Sequence, residues 1–292
     1  MNIHIAPADA APSRLRWRYQ PGFLPGFPLC LGLSLLFISL VILLPVAALL
    51  LKAAQLDWAQ YWAAISDARV AASYRITVGA ALLASLLNAG IGLLLAWILV
   101  RYDFPGRRLF DALLDLPFAL PTAVAGLTLS ALYAKNGWIG QWLAPLGVRV
   151  SYTFVGIVLA MLFTSLPFVV RTVQPVLADL GPDYEEAAGA LGASPAQTFW
   201  RVLLPALTPA LVTGTALAFT RSLGEFGAIV FIAGNLPYET EVTSLMIFVR
   251  LQEYNHAAAA AIASVLLAAS LALLLLIQVL QARYLKPPRG TL

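Results

Sequence analysis

The sequence EEAAGALGASPAQTFWRVLLP, residues 185–205, decides the fold because it is a polar segment between two strongly apolar ones. Two adjacent glutamates open it, and Gly192 and Pro195 interrupt it near the middle. Glycine favours the backbone conformation that ends a helix, and proline favours the first turn of the next helix. The stretch therefore predicts two short helices joined by a tight turn, which we call the elbow.

The composition of the chain is that of a membrane protein. Of its 292 residues, 61% are hydrophobic and 11% are charged, and the mean hydropathy is +0.84. A soluble domain carries about 25% charged residues, so this chain cannot cover a water-facing surface. The net charge of +4 does not indicate a nucleic-acid partner, because basic residues in so apolar a chain mostly lie in cytoplasmic loops.

Six apolar runs reach about the 20 residues that are needed to cross the hydrocarbon core of a bilayer. They are residues 27–51, 75–100, 113–134, 152–174, 208–233 and 257–280. The sequence therefore predicts an all-α integral membrane protein with about six transmembrane helices, surrounded by lipid. Residues 243–254 are apolar but too short to span, and they predict an interfacial or re-entrant helix on the outer side.

The distribution of basic residues sets the predicted orientation. With the N-terminus in the cytoplasm, eleven lysines and arginines fall in cytoplasmic segments, five in outer loops, and Arg75 and Arg221 within spans. Cytoplasmic loops carry an excess of such residues, so we expect both termini and the elbow to be cytoplasmic. The predicted parts are an N-terminal tail (1–26), a first transmembrane helix (27–51), a transmembrane domain (71–281) with the loop 180–207, and a C-terminal tail (282–292).

Two of the runs carry residues that a plain lipid-facing helix would not need. Pro117 and Pro121 lie four residues apart in the third run, where each is expected to kink the helix on the same face. Arg221 and Glu225 lie four residues apart near the middle of the fifth run, as an ion pair would require. A candidate translocation pathway therefore includes the following residues: Pro117, Pro121, Thr122, Arg221, Ser222 and Glu225.

Capping signals define the elbow in more detail. Pro182 suits the start of the first helix, and Glu185 and Glu186 suit the positive end of its dipole. Gly192 fits a positive φ at the helix end, and Ser194 with Gln197 fits a capping box for the second helix. The second helix is expected to end near Leu204 and Pro205, where the next span begins.

The spacing within the elbow resembles the EAA loop of ABC importer permeases, E-A-A-x3-G-x9-I-x-L-P. It reads Glu186-Ala187-Ala188, three residues, Gly192, nine residues, Val202, one residue, Leu204-Pro205, with valine in place of isoleucine. The resemblance implies a type I ABC importer fold and a loop that docks into a groove of a cytoplasmic ATPase. The implied coupling residues are Glu185, Glu186, Ala187, Ala188, Gly192, Phe199, Val202, Leu204 and Pro205.

Longer blocks, including TSLPFVVRTVQPVL (164–177) and TRSLGEFGA (220–228), resemble the T-type permease of the sulfate/thiosulfate importer family. The resemblance implies transport of sulfate or thiosulfate across the bacterial inner membrane, with another oxyanion such as molybdate as the alternative. It also implies four kinds of partner: a homologous W-type permease subunit, two ATPase subunits, a periplasmic sulfate-binding protein and membrane lipid.

Other classes of function lack their sequence signals. A P-loop requires Gly-Lys-Ser/Thr, and none of the lysines follows a glycine, so no ATP-binding motif is seen and ATP hydrolysis is expected in a partner chain. Cys30, His4 and His256 form no metal-ligand pattern, so we expect no metal, no cofactor and no catalytic residue. A secondary transporter remains the main rival, with Arg221 and Glu225 as its intramembrane ionisable groups. An intramembrane enzyme is the other.

Overall fold

A computed structural model describes residues 26–284, and this part of the chain is helical with short connections. The predicted N-terminal tail and most of the predicted C-terminal tail lie outside the described residues. The α-helices in chain order are α1 (Phe27–Ile38), α2 (Leu44–Ala53), α3 (Trp58–Ser66), α4 (Ala68–Arg101), α5 (Arg107–Leu114), α6 (Leu116–Ala119), α7 (Thr122–Tyr133), α8 (Gly140–Leu143), α9 (Phe154–Asp179), α10 (Asp183–Ala190), α11 (Pro195–Thr198), α12 (Leu204–Leu223), α13 (Ile229–Ile232), α14 (Thr243–Gln252) and α15 (His256–Tyr284).

The chain divides into two compact units between Ala48 and Leu49. In the first unit, a π-helical turn (Ser39–Leu43) continues α1 into the start of α2. Together these elements make an apolar helix of 27 residues, Phe27–Ala53, which is long enough to cross a bilayer core. The predicted first span, residues 27–51, falls within this helix.

The core of the second unit is formed by α4, α9 and α12, which pack closely because small residues line their crossings. A Cβ on Gly92 of α4 would lie 2.7 Å from Cγ1 of Val169, and a Cβ on Gly214 of α12 would lie 2.9 Å from Cα of Val169. Val169 of α9 is therefore held between two glycines. At 34 residues, α4 is about 51 Å long and exceeds the bilayer core of about 30 Å.

The prediction that residues 113–134 form one kinked helix is wrong. The structure divides this run among α5, α6 and α7. Leu120 is extended, with φ −84° and ψ 135°, because a residue that precedes proline is pushed out of the helical region. Pro117 lies in the first turn of α6 and Pro121 caps α7, so the two prolines begin separate helices and do not share a helix face.

The fifth predicted span begins earlier and ends earlier than its hydropathy indicates. One continuous helix, Pro195–Leu223, joins α11 to α12 through the π-helical turn Phe199–Leu203. Pro205 has no N–H to donate to the carbonyl of Arg201, which explains why the regular α-helical pattern of backbone hydrogen bonds is interrupted here. The second elbow helix thus does not end at Leu204 and Pro205, as expected from the sequence, but continues into the span. Residues after Leu223 turn and form the separate helix α13.

Polar side chains fix α14 to α4 at the end of the bundle that lies away from the elbow. Arg69 binds the carboxylate of Glu241 through Nε and Nη2, at 2.7 and 2.8 Å. The hydroxyl of Thr77 accepts the backbone N–H of Thr243 at 2.8 Å. The helix predicted over residues 243–254 is present as α14, and α4 connects it to the elbow end.

Candidate functional site

The first half of the elbow is α10, which begins after Pro182 and ends in a tight turn. Asp183, Glu185 and Glu186 lie in its first turn, where the unpaired N–H groups of the helix favour negative charge. At the other end, Gly192 donates to the carbonyl of Gly189 at 2.9 Å, and Ala193 donates to the carbonyl of Ala188 at 3.0 Å. These two bonds form a Schellman motif.

The conformation of Gly192 is the predicted one. Its φ is +83°, which glycine adopts without the steric penalty that a Cβ would bring. A Cβ at this position would contact nothing within 4 Å. The cost of any other residue here would therefore come from the backbone itself and not from crowding.

The second half of the elbow begins with the predicted capping box. Ser194 Oγ accepts the N–H of Gln197 at 3.3 Å, and Gln197 Oε1 accepts the N–H of Ser194 at 2.9 Å. Pro195 occupies the first turn. The helix that starts here runs on to Leu223. The second half of the elbow is therefore the first part of a membrane-spanning helix.

The surface of the elbow carries large apolar side chains that sequence reasoning missed. Leu191 is 90% exposed, Trp200 is 65% exposed and Tyr184 is 52% exposed. Glu186 and Ala187 are exposed beside them. Leu191 directly precedes the glycine that ends α10, and this position is the sequence signal that could have predicted its exposure. The combination gives the elbow an apolar surface with acidic residues at the start of its first helix.

The other predicted coupling residues face the bundle to different degrees. Ala188 is buried, whereas Phe199, Val202 and Leu204 are half-buried, and Pro205 is exposed. Phe199 makes an edge-to-face contact with Trp97 of α4, with 5.7 Å between the ring centroids. Phe199 therefore serves the attachment of the elbow to the bundle.

Arg221 and Glu225 form an ion pair that holds the end of α12. Arg221 Nη1 lies 2.7 Å from Glu225 Oε2, and the side chain of Glu225 is 1% exposed against 33% for Arg221. The other oxygen of Glu225 accepts the N–H of Ala228 at 3.0 Å. The buried carboxylate is thus neutralised by Arg221, and it ties the end of α12 to the turn that precedes α13.

Ser222 belongs to a buried polar chain that reaches α4. Its hydroxyl donates to Ser165 Oγ at 3.2 Å, and Asn88 Nδ2 donates to the same oxygen at 2.9 Å. Asn88 was not predicted, although an amide inside an apolar run is a visible signal. Thr122 lies at the start of α7 against Gly227, where a Cβ would be 2.2 Å from Thr122 Oγ1.

A second charged cluster lies where the third run begins, directly before Pro117 in the chain. Arg171 of α9 binds Asp111 and Asp115, which flank the end of α5, through Nη1 at 2.7 Å and Nη2 at 2.5 Å. In α6, Phe118 beside Pro117 stacks edge-to-face on Phe168 with 5.3 Å between the ring centroids. This arrangement fixes α5 and α6 on α9, while Thr122 and Gly227 bring α7 to the segment after α12. Within residues 26–284, no group of three or more His, Cys, Asp or Glu side chains could hold a metal ion.

Comparisons with known proteins agree with this architecture. Residues 88–286 match the family described as binding-protein-dependent transport system inner membrane component. The chain belongs to this family. It is a multi-pass inner-membrane component of a transport system, and its all-α fold is that of the type I ABC importer permeases.

The most similar curated relatives include sulfate permeases. This permease is 63% identical over 261 residues to the sulfate transport system permease protein CysT of Escherichia coli, covering 89% of this chain and 94% of the relative. It is 52% identical over 252 residues to a probable cysT protein of Nephroselmis olivacea, covering 86% and 88%. The resemblance stated from the sequence is therefore confirmed.

Solved structures support the fold of the permease. A chain of a bacterial alginate ABC transporter, crystallised with an alginate pentasaccharide-bound periplasmic protein, is 18% identical with a TM-score of 0.74. The match covers 90% of this permease and 96% of that chain. A second alginate ABC importer structure matches with a TM-score of 0.71.

Proposed function

We propose that this permease carries sulfate and thiosulfate across the inner membrane and that its elbow docks onto a separate ATPase subunit. The observation that supports the substrate is the 63% identity to the Escherichia coli sulfate permease over 94% of that protein's length. Such extensive identity covers the spans as well as the elbow. The alternative substrate is another oxyanion such as molybdate.

The shape of the elbow supports docking. Its two helices are fixed by a Schellman turn and a capping box, so little conformational entropy is lost when a partner binds. Leu191, Tyr184 and Trp200 expose apolar surface, and large side chains of this kind act as anchors when they fill pockets of a partner. The small residues Ala187 and Ala190 let the partner approach the helix closely.

The remaining partners follow from the same assignment. A homologous W-type permease subunit would complete the membrane pore, two ATPase subunits would supply the energy, and a periplasmic sulfate-binding protein would deliver the anion. The elbow and both termini lie in the cytoplasm in this proposal, as the excess of basic residues in those segments favours. ATP hydrolysis then takes place in the ATPase chains and this permease makes no catalytic contribution of its own.

Arg221 is the proposed contact for the anion within the membrane. It is the partly exposed member of its ion pair, with 33% of the side chain accessible against 1% for Glu225. A charged group inside a span is costly unless it is paired or hydrated, and Glu225 meets that requirement. Ser222, Thr122, Pro117 and Pro121 complete the proposed pathway.

The test is transport by the assembled complex in liposomes. The permease is purified with its copurifying subunits, which are identified by mass spectrometry, and uptake of radiolabelled sulfate is measured with the binding protein. We expect uptake to require ATP, to survive a protonophore, and to be inhibited by thiosulfate more strongly than by molybdate. Uptake that is driven by a proton gradient without ATP would identify a secondary transporter instead. Stronger inhibition by molybdate would change the substrate and leave the coupling proposal intact.

A further inference from the structure

The cytoplasmic end of α4 contacts both halves of the elbow. Arg101, the last residue of α4, donates from Nη2 to the carbonyl of Gly181 at 3.1 Å, and its Nε lies 2.8 Å from Oε1 of Glu185 in α10. One turn earlier, Trp97 contacts Phe199 in the second half of the elbow. Two neighbouring side chains of one helix therefore hold the segments on both sides of the turn at Gly192.

The two atoms that meet in the ion pair between Arg101 and Glu185 have no alternative partner within the described residues. Arg101 Nε and Glu185 Oε1 are both shielded from solvent, and within the described residues neither atom has a hydrogen-bond partner apart from their own ion pair. Their mutual attraction is therefore what compensates the loss of water at these two atoms. The guanidinium of Arg101 also lies over the ring of Trp97, 5.7 Å from its centroid, so the two side chains support each other.

We propose that Arg101 is a positioning residue that fixes the direction of the elbow relative to α4. Through Glu185 and Gly181 it sets the tilt of α10, and with it the direction in which Leu191 faces a partner. At its far end α4 also binds α14 through Thr77 and Thr243, and the segment just before α14 through Arg69 and Glu241. A force on the elbow is therefore passed to a helix that reaches the opposite side of the bundle. The proposal rests on the docking role of the elbow.

The first experiment measures coupling in the complete reconstituted complex with its ATPase and binding protein. Arg101→Gln and Glu185→Gln should each leave the complex assembled but lower the number of anions imported per ATP hydrolysed, by about fivefold or more. The double neutral variant should be no worse than either single variant, and the charge swap Arg101→Glu with Glu185→Arg should recover part of the loss. Arg107→Gln is the matched control, because its ion pair with Asp103 is exposed and should be dispensable.

The second experiment measures the direction of the elbow itself. Spin labels are placed at Ala190→Cys and Tyr102→Cys in a Cys30→Ser background of the complete complex. The distance distribution should be narrow in the parent and broad in Arg101→Gln, and Arg107→Gln should leave it narrow. If Arg101→Gln fails to accumulate, Glu185→Gln removes the same contact from the other side.

The outcomes separate the two proposals. An unchanged distance distribution in Arg101→Gln and Glu185→Gln would overturn the positioning role and leave the docking of the elbow unaffected. A broad distribution together with unchanged import per ATP would show that the direction of the elbow does not affect coupling, and it would also overturn the positioning role. The docking role would fail separately, if the ATPase bound equally well to a permease with an altered elbow surface.

Discussion

Gly126 of α7 touches the backbone of Ala228, and a Cβ at position 126 would lie 2.1 Å from the carbonyl oxygen of Ala228. Gly227 also lies close to α7: a Cβ at position 227 would be 2.2 Å from the side-chain Oγ1 of Thr122 and 3.1 Å from the backbone N of Ala123. The irregular parts of the third and fifth predicted spans therefore meet backbone to backbone. Such an approach is possible only where the side chain is a hydrogen atom.

Gly126→Ala should destabilise the permease. The nearest neighbours of its Cβ are backbone atoms of Ala228, which cannot swing away as a flexible side chain could, so we expect a cost near the upper end of the roughly 1–3 kcal/mol that overpacking brings. The measurement is the thermal unfolding of the purified complex. Gly90→Ala in α4 is the control, because a Cβ there contacts nothing within 4 Å and should be neutral or stabilising by about 1 kcal/mol. Equal stability of the two variants would contradict the close contact.

Gly192→Val should uncouple ATP hydrolysis from uptake while the permease remains abundant. The positive φ of Gly192 would cost a β-branched residue about 1–3 kcal/mol, which is small for the whole fold but enough to tilt one half of the elbow. The measurement is ATPase copurification together with the rates of ATP hydrolysis and anion uptake. Gly106→Val is the matched control, because Gly106 has φ +88° and open space around it but lies outside the elbow. Wild-type transport by Gly192→Val with the ATPase fully bound would show that the elbow is not the coupling element.

Leu191→Ser should weaken ATPase binding without affecting the isolated permease. A leucine that is 90% exposed contributes little to the fold, but burial in a groove would be worth about 2 kcal/mol, or roughly 30-fold in affinity. The measurement is titration of the purified permease with its ATPase. Leu146→Ser, at a leucine outside the elbow that is 74% exposed, should bind the ATPase normally. Unchanged affinity of Leu191→Ser would remove Leu191 from the proposed docking surface.

Arg221→Gln should lower the amount of assembled permease, because it leaves the carboxylate of Glu225 buried without its cation. Removing one partner of a buried pair costs about 3–5 kcal/mol, and this figure is an upper bound here since Arg221 is partly exposed. The double variant Arg221→Gln with Glu225→Gln leaves no unpaired charge and should restore assembly. If Arg221 contacts the anion, the double variant should take up the anion more slowly than the parent permease. Uptake at the parent rate would assign the pair a purely structural role.

The proposed orientation predicts that residues 190 and 239 react from opposite sides of the membrane. Both positions are exposed, whereas Ala188 in the same helix is buried and would label poorly. Single cysteines replace Ala190 or Glu239 in a Cys30→Ser background, and an impermeant maleimide is applied to spheroplasts. Position 239 should react at once and position 190 only after lysis. Reaction of position 190 in intact spheroplasts would reverse the topology.

The signals that depend on local backbone chemistry were readable from the sequence. The turn at Gly192, the capping box of Ser194 and Gln197, and the length of most apolar helices follow from residues that are close together in the chain, and the structure has each of them. The spacing of the elbow was likewise sufficient to indicate the family. These features are local because caps and turns satisfy the hydrogen bonds of their own backbone.

Tertiary structure decided where the apolar runs stop being helices. Hydropathy alone cannot distinguish a kinked span from three short helices. Pro121 favours an extended Leu120, but whether the helix only kinks there or ends depends on the neighbours that contact the irregular backbone. Gly126 and Gly227 provide that close contact, and nothing in their sequence neighbourhood identifies their partners. Arg101 is the same kind of case: it is 84 residues from Glu185 in the chain, and only the packing of α4 beside the elbow brings the two charges to 2.8 Å.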